Sequence, residues 1–172
     1  MTKKEVVPLE EAREQVEIAV TRLALLHLSF AKTLVEELGE KKGKELTIKS
    51  ILEYGQRIGE RIKQGLPDLP KYGVHGGDKR GKTYGCILAK IFREYEELDL
   101  GCLYCYVDPA KSMATDPMHK LIHKDCAACS DDYCTFETVP TTEEERNNFK
   151  NKNINWKNVD SRLVEGVKTQ AI

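Results

Sequence analysis

The chain has 172 residues, 40% hydrophobic and 32% charged, with a formal net charge of -1, which suits one globular domain with its own core. A balance this near neutrality gives no electrostatic footprint for nucleic acid or an anionic membrane surface. No stretch reads as a membrane span, and the charged start "MTKKEVVPLEEA" lacks the apolar segment of a secretory signal. The expected setting is therefore the cytoplasm, where six cysteines read as ligands, reactive groups or small core residues rather than disulfides.

The first element is a long helix from Pro8 to Gly39. Pro8 suits a first turn, acidic residues follow it, and Val16, Val20, Leu23, Leu26, Phe30, Leu34 and Leu38 recur at steps of three and four. His27 lies within it as a core or boundary histidine. "TIKSILEYGQRIGERIKQGLPDLP" predicts a second helix, ended by Pro67 and Pro70. Gly55 and Gly59 stand four apart on one face, which points to close backbone packing before a bare face for substrate. "KYGVHGGDKRGKTYG" is a glycine-rich connection, read as a surface loop before a nucleotide-binding one. His75 and Asp78 could swing inward from it as part of a lid.

"CILAKIFREYEELDLGCLYCYVD" begins with residues that suit helix or strand. Its end, rich in Leu, Tyr and Cys, reads as strand, broken at Asp108-Pro109. After a connection, "LIHKDCAACSDDYCTFETV" reads as two strands around a turn at Ser130, Asp131 and Asp132. Thr142 and Glu145 make a capping box for a further helix. The polar remainder is expected to hug the surface through Phe149, Ile154 and Trp156.

Cys102-x-x-Cys105 and Cys126-x-x-Cys129 are spaced like a four-cysteine zinc site. Strand alternation argues against that reading, because residues three apart on a strand face opposite sides. A smaller mixed site of His119, His123, Cys129 and Cys105 survives the objection and would suit a divalent metal such as zinc. An iron–sulfur cluster fits the spacing less well, and a redox pair would need its Cys-x-x-Cys at a helix start, where neither pair is expected.

Several of these stretches together are similar to one family. "LVEELG" closes the first helix, "YGQRIGERI" runs along the second, Cys105-Tyr106-Val107-Asp108 follows, and "SDDYCTFE" comes late. They resemble the L-2-amino-thiazoline-4-carboxylic acid hydrolase family, with its C-x-x-D and G-D-x-x-C-x-F patterns, and the related vinyl-reductase-like small-molecule-binding domains. The resemblance covers most of residues 9–139. Cys105 and Asp108 take the first pattern, and Asp131, Cys134 and Phe136 the second, with Ser130 where the family has glycine.

The resemblance implies an α+β fold, in which long N-terminal helices pack on an antiparallel sheet ending in a C-terminal β-hairpin. The domain would span residues 1–140, with 141–172 as an extension packed on its surface, and would form a homodimer. The implied activity is hydrolysis of a small cyclic C–N or C–S compound. The alternative is a non-catalytic module that binds a small molecule or a metal. Ring opening needs an activated water or thiolate and a proton donor. Cys105 is then the candidate nucleophile or ligand, Asp108 the base, and His123 the proton shuttle. Cys126, Asp131, Cys134 and His75 are the candidate substrate-binding residues.

Overall fold

The structure, a computed structural model, describes residues 7–65, 81–153 and 158–166. The first two helices, α1 (Leu9–Leu38) and α2 (Glu40–Lys63), are joined by Gly39 alone. Its φ of 77° is one that L side chains rarely adopt, so the tight reversal needs glycine. The second helix thus starts earlier than Thr47. Its polar first turns hide a close contact: a Cβ on Gly43 would stand 2.5 Å from Val35 Cα.

Farther along α2, the two glycines four apart serve close packing, as the sequence suggested. A Cβ on Gly55 would meet Ala110 Cβ at 2.6 Å, and one on Gly59 would meet Ala114 Cβ at 2.5 Å. Both alanines belong to α5 (Val107–Thr115). Two rows of small residues bring these backbones together.

Between α2 and α5 lie α3 (Ile87–Glu94), α4 (Leu98–Gly101) and a 3-10 turn at Cys102–Tyr106 that runs straight into α5. The strand expected at "GCLYCYVD" is therefore helical. Leu100, Leu103, Tyr106, Val107, Ala110 and Met113 are all buried and recur at steps of three and four, so burial by a helical face overrides β propensity. Pro109 does not break the chain, because it sits in the first turn of α5, where no intrahelical N–H bond is lost.

The hairpin is present. Strand β1 (His119–Asp125) pairs antiparallel with β2 (Thr135–Pro140), with His123 opposite Phe136 and a register irregularity between His123 and Asp125. Among the described residues, these two strands form the whole sheet of an otherwise helical α+β fold. Their connection is longer than a three-residue turn: a 3-10 turn at Ala127–Cys129 precedes Ser130, whose φ is 78°. Helix α6 (Glu143–Lys150) carries the expected capping box of Thr142 and Glu145. The last described element, α7 (Ser161–Glu165), places Val159, Asp160 and Leu163 in the core. His75, Asp78, Ile154 and Trp156 lie outside the described residues.

One sequence reading needs correction. An 18-residue window of α1 has mean hydropathy 1.5, so by length and composition this helix is apolar enough to cross a membrane. Ala24, His27, Leu28 and Ala31 on its inner side are buried in the protein, while Leu26 and Phe30 stand exposed on its outer side.

Candidate functional site

Three separate elements deliver the chemically active groups. The 3-10 turn presents Cys105, and Asp108 follows one turn later in α5, so the C-x-x-D spacing puts thiol and carboxylate on one helical face. Strand β1 turns His123 inward, where it is 3% exposed. Directly after the strand, Cys126 is fully buried. The Sγ atoms of Cys105 and Cys126 lie 3.7 Å apart. Both, with a ring nitrogen of His123, fall within 4.8 Å of one another, a group that could hold a metal ion.

His123 is held from both sides. Its Nδ1 lies 2.8 Å from Asp160 Oδ2, and its backbone N–H donates to the same oxygen at 2.9 Å. Asp160 has no exposed surface, and its other oxygen caps α7 by accepting from the N–H groups of Arg162 and Leu163. The second ring nitrogen, Nε2, stands 3.4 Å from Asp108 Oδ2. Nδ1 is thus committed to Asp160, and Nε2 is the ring nitrogen turned toward Asp108.

The electrostatics follow from this enclosure. Burial opposes charge on His123, but hydrogen bonds to Asp108 and Asp160 outweigh it and push its pKa up to about 10. The thiol of Cys105 beside Cys126 holds Cys126 below the ordinary thiol range, with the Cys134 thiol and the charge on His123 helping. Cys105 moves in the opposite direction, raised by that same contact and by burial. The surroundings thus favour ionisation of Cys126 over that of Cys105.

The loop that positions Cys126 is clamped by two arginines. Arg93 Nη2 donates to the carbonyls of Ala127 (2.7 Å) and Asp131 (2.9 Å). Arg162 donates from Nε to Asp131 Oδ2 at 2.7 Å, from Nη1 to Gly166 O at 2.7 Å, and from Nη2 to Cys129 O. Asp131 Oδ2 also accepts the Cys126 backbone N–H at 2.8 Å. Asp131 is thus a brace for the loop. Such a net keeps the Cys126 backbone in place whether or not anything is bound.

Helical turns, not strands, carry both Cys-x-x-Cys pairs, so the alternation that separates them on paper does not apply. Cys129 touches both Cys102 and Cys126, and its pKa rises to about 12, chiefly through the Cys102 thiol. Cys134 sits against Cys126 and accepts the Ala127 N–H on its sulfur at 3.3 Å. His119 is not brought in: it is exposed and bonded to Asp116 Oδ2 through Nδ1 at 2.7 Å. Of the four residues expected as ligands, Cys105 and His123 meet. Cys129 lies one thiol away, and Cys126 takes the remaining place.

The donor set fits a soft divalent ion. Two thiols and an imidazole whose far nitrogen is held by a carboxylate are the ligands zinc prefers, and unlike those of magnesium or calcium. Two sulfurs on one tetrahedral zinc stand about 3.8 Å apart, from Zn–S bonds of about 2.3 Å, close to the Cys105–Cys126 separation of 3.7 Å. Compared with known proteins, the chain matches no family model, no curated protein and no solved structure. Two cavities flank the site, an open one of about 470 Å³ whose lining includes Cys102, Tyr106 and Asp99, and an apolar groove of about 350 Å³ between α1 and α2. Neither lining includes Cys105, His123 or Cys126.

Proposed function

We propose that the chain is a metal-binding module in which Cys105, Cys126 and His123 hold a zinc-class divalent ion. The carrying observation is the convergence of two Sγ atoms and a His123 ring nitrogen within 4.8 Å, with His123 and Cys126 buried and Cys105 partly so. Asp160 contributes by fixing which nitrogen of His123 is presented. A bound ion would tie the 3-10 turn before α5, the end of β1 and, through Asp160, the start of α7 into one unit. Ligand exchange at such a centre would then be felt by all three elements, which suits a sensor.

A second reading is the hydrolysis that the family resemblance implies. The observation in its favour is Asp108, whose side chain keeps 24% exposure and lies 3.4 Å from His123. Three protein ligands would leave a fourth position open, where a bound ion lowers the pKa of water. Asp108 is the carboxylate placed to accept a proton there. Against it stands the burial of Cys126 and His123, away from both flanking cavities.

The test is metal content after purification and after zinc loading, for wild type and for Cys105→Ser, Cys126→Ser and His123→Asn, with Cys86→Ser as control. The expectation is one zinc per chain, lost in the three ligand variants and kept in the control. Wild type that retains no zinc would overturn the proposal. Zinc lost equally on Cys102→Ser and Cys129→Ser would replace it with a four-cysteine site. Turnover of thiazoline and cyclic amidine substrates by the zinc-loaded protein, lost on Asp108→Asn with zinc retained, would establish the hydrolytic reading.

A further inference from the structure

The three residues that converge at the centre lie outside both flanking cavities, yet a file of thiols connects them to one of the two. Cys102 lines the open cavity of about 470 Å³, together with Tyr106, Leu163 and Val164. The residue is otherwise shut in: it is 4% exposed, and its thiol donates to Asp99 O at 3.4 Å. Cys129 stands next, its thiol against Cys102 on one side and Cys126 on the other. Cys126 in turn meets Cys105 at 3.7 Å. From the cavity inward the file therefore runs Cys102, Cys129, Cys126 and Cys105, each in contact with the next.

We infer that this cavity is the door to the zinc centre, and that Cys102 and Cys129 form a transit site that hands a zinc-class ion from solvent to Cys126 and back. The inference rests on the zinc centre proposed above. Room comes first: an ion with roughly six waters occupies about 180 Å³ at about 30 Å³ per water, well inside the cavity. Chemistry follows, since thiolate sulfur is a preferred zinc ligand and zinc can expand to five ligands, so an incoming thiolate binds before the departing ligand leaves. Each transit thiol gives up its proton as it takes the ion and regains one as it passes the ion on. After transfer Cys102 and Cys129 are thiols again, and only the protons of Cys105 and Cys126 have gone to water.

The local backbone gives the moving sulfur a fixed frame. Arg162 holds the carbonyl of Cys129 through Nη2 and that of Gly166, on the cavity wall, through Nη1. With its backbone pinned, Cys129 can swing its sulfur between Cys102 and Cys126 by rotation about χ1 alone. The cavity carries Lys41 and Lys44 as well as Glu45 and Asp99, and Lys44 pairs with Asp99 at 3.5 Å. Charge therefore neither draws a cation there nor bars it. Thiols make this side the door. The competing door lies beside Asp108 and the partly exposed Cys105, a residue that the two flanking cavities do not reach.

Stopped-flow transfer of zinc between the full chain and a coloured chelator tests this in both directions, with zinc content and circular dichroism as controls. Cys102→Ser and Cys129→Ser should each slow uptake and release alike by at least about tenfold. One zinc per chain should be kept, with affinity within about threefold of wild type. A thiol that only packs the core would change stability or affinity without slowing both directions equally. Val164→Trp, at a wall position that is 52% exposed, should slow exchange without altering any thiol, and Cys86→Ser should exchange as wild type does. Rates unchanged in Val164→Trp, or in both serine variants, overturn the inference, and slowing confined to Asp108→Asn moves the door to Cys105. Zinc lost from either serine variant overturns it too, by making that cysteine a ligand. Wild type that binds no zinc overturns the centre itself and the door with it, an outcome read from metal content before any rate is measured.

Discussion

Replacing Asp160 by asparagine removes one charge and changes almost no volume, yet it should damage both the fold and the site. The carboxylate accepts four N–H groups. Oδ2 takes His123 N at 2.9 Å and Nδ1 at 2.8 Å, and Oδ1 takes Arg162 N at 3.1 Å and Leu163 N at 3.2 Å. An amide has one oxygen. If that oxygen keeps the cap of α7, its NH₂ confronts two donors of His123. One buried backbone N–H left unmet costs about 1 to 3 kcal/mol, and losing the charge-assisted bond to the imidazole adds about 1.5 to 3. Since Asp160 has no exposure, solvent cannot repair the loss, so a destabilisation of about 3 to 5 kcal/mol is expected. Urea unfolding of the zinc-free chain measures it. Chelator competition on the same variant should show zinc affinity lower by about ten- to a hundredfold, because nothing then fixes His123 with Nε2 outward. A loss below about 1 kcal/mol with unchanged affinity would refute the role given to Asp160.

Three further outcomes are expected. Gly55→Ala should destabilise by about 1 to 3 kcal/mol in the same unfolding assay, despite the better helix former, because its Cβ would stand 2.6 Å from Ala110 Cβ and 2.9 Å from Val107 O. Arg162→Met should cost about 3 to 5 kcal/mol, since Asp131 loses its ion pair and the carbonyls of Cys129 and Gly166 lose their donor. Burial holds His27 below its ordinary pKa of 6.5, so the unfolded chain takes up a proton there before the native one does. Stability linked to His27 is therefore present above about pH 6.5 and is lost as pH falls toward the lowered native value. Equilibrium unfolding between pH 7 and pH 5 should show that loss reduced in His27→Gln, which keeps a donor for Leu100 O.

Much of the fold was legible where one physical pattern acted alone. The 3.6-residue period and Gly39 gave α1, the Thr142–Glu145 capping box gave α6, and the turn residues Ser130, Asp131 and Asp132 between two strand-like runs gave the hairpin. The errors fell where two patterns competed. "CLYCYVD" has strand-favouring residues, yet its buried positions Leu103, Tyr106, Val107 and Ala110 form one helical face with Leu100 and Met113. Burial prevailed. That one misreading also misplaced the cysteines, because turns bring together thiols that strands would separate.

The site was half legible. Cys105, Asp108 and His123 stood out as reactive types close to a motif, and they meet. Cys126 carries the lowered pKa, but nothing in its neighbourhood singled it out among four cysteines. Asp160 lies in a polar tail, thirty-seven residues from His123. Its one local sign was a capping aspartate before Ser161 and a closing Gly166, which marks a short helix and says nothing of burial. Arg93 and Arg162 carry no local sign of their role, since only the folded loop supplies the carbonyls they clamp.

X-ray absorption at the zinc edge of the zinc-loaded protein examines the proposed centre most directly, because it counts ligands by element. Two sulfur neighbours at about 2.3 Å together with nitrogen or oxygen at about 2.0 to 2.1 Å are expected for Cys105, Cys126 and His123. Cys126→Ser should leave one sulfur or no bound zinc. A shell of four sulfurs would place the ion among Cys102, Cys105, Cys126 and Cys129 instead, and a shell without sulfur would contradict the proposed centre altogether.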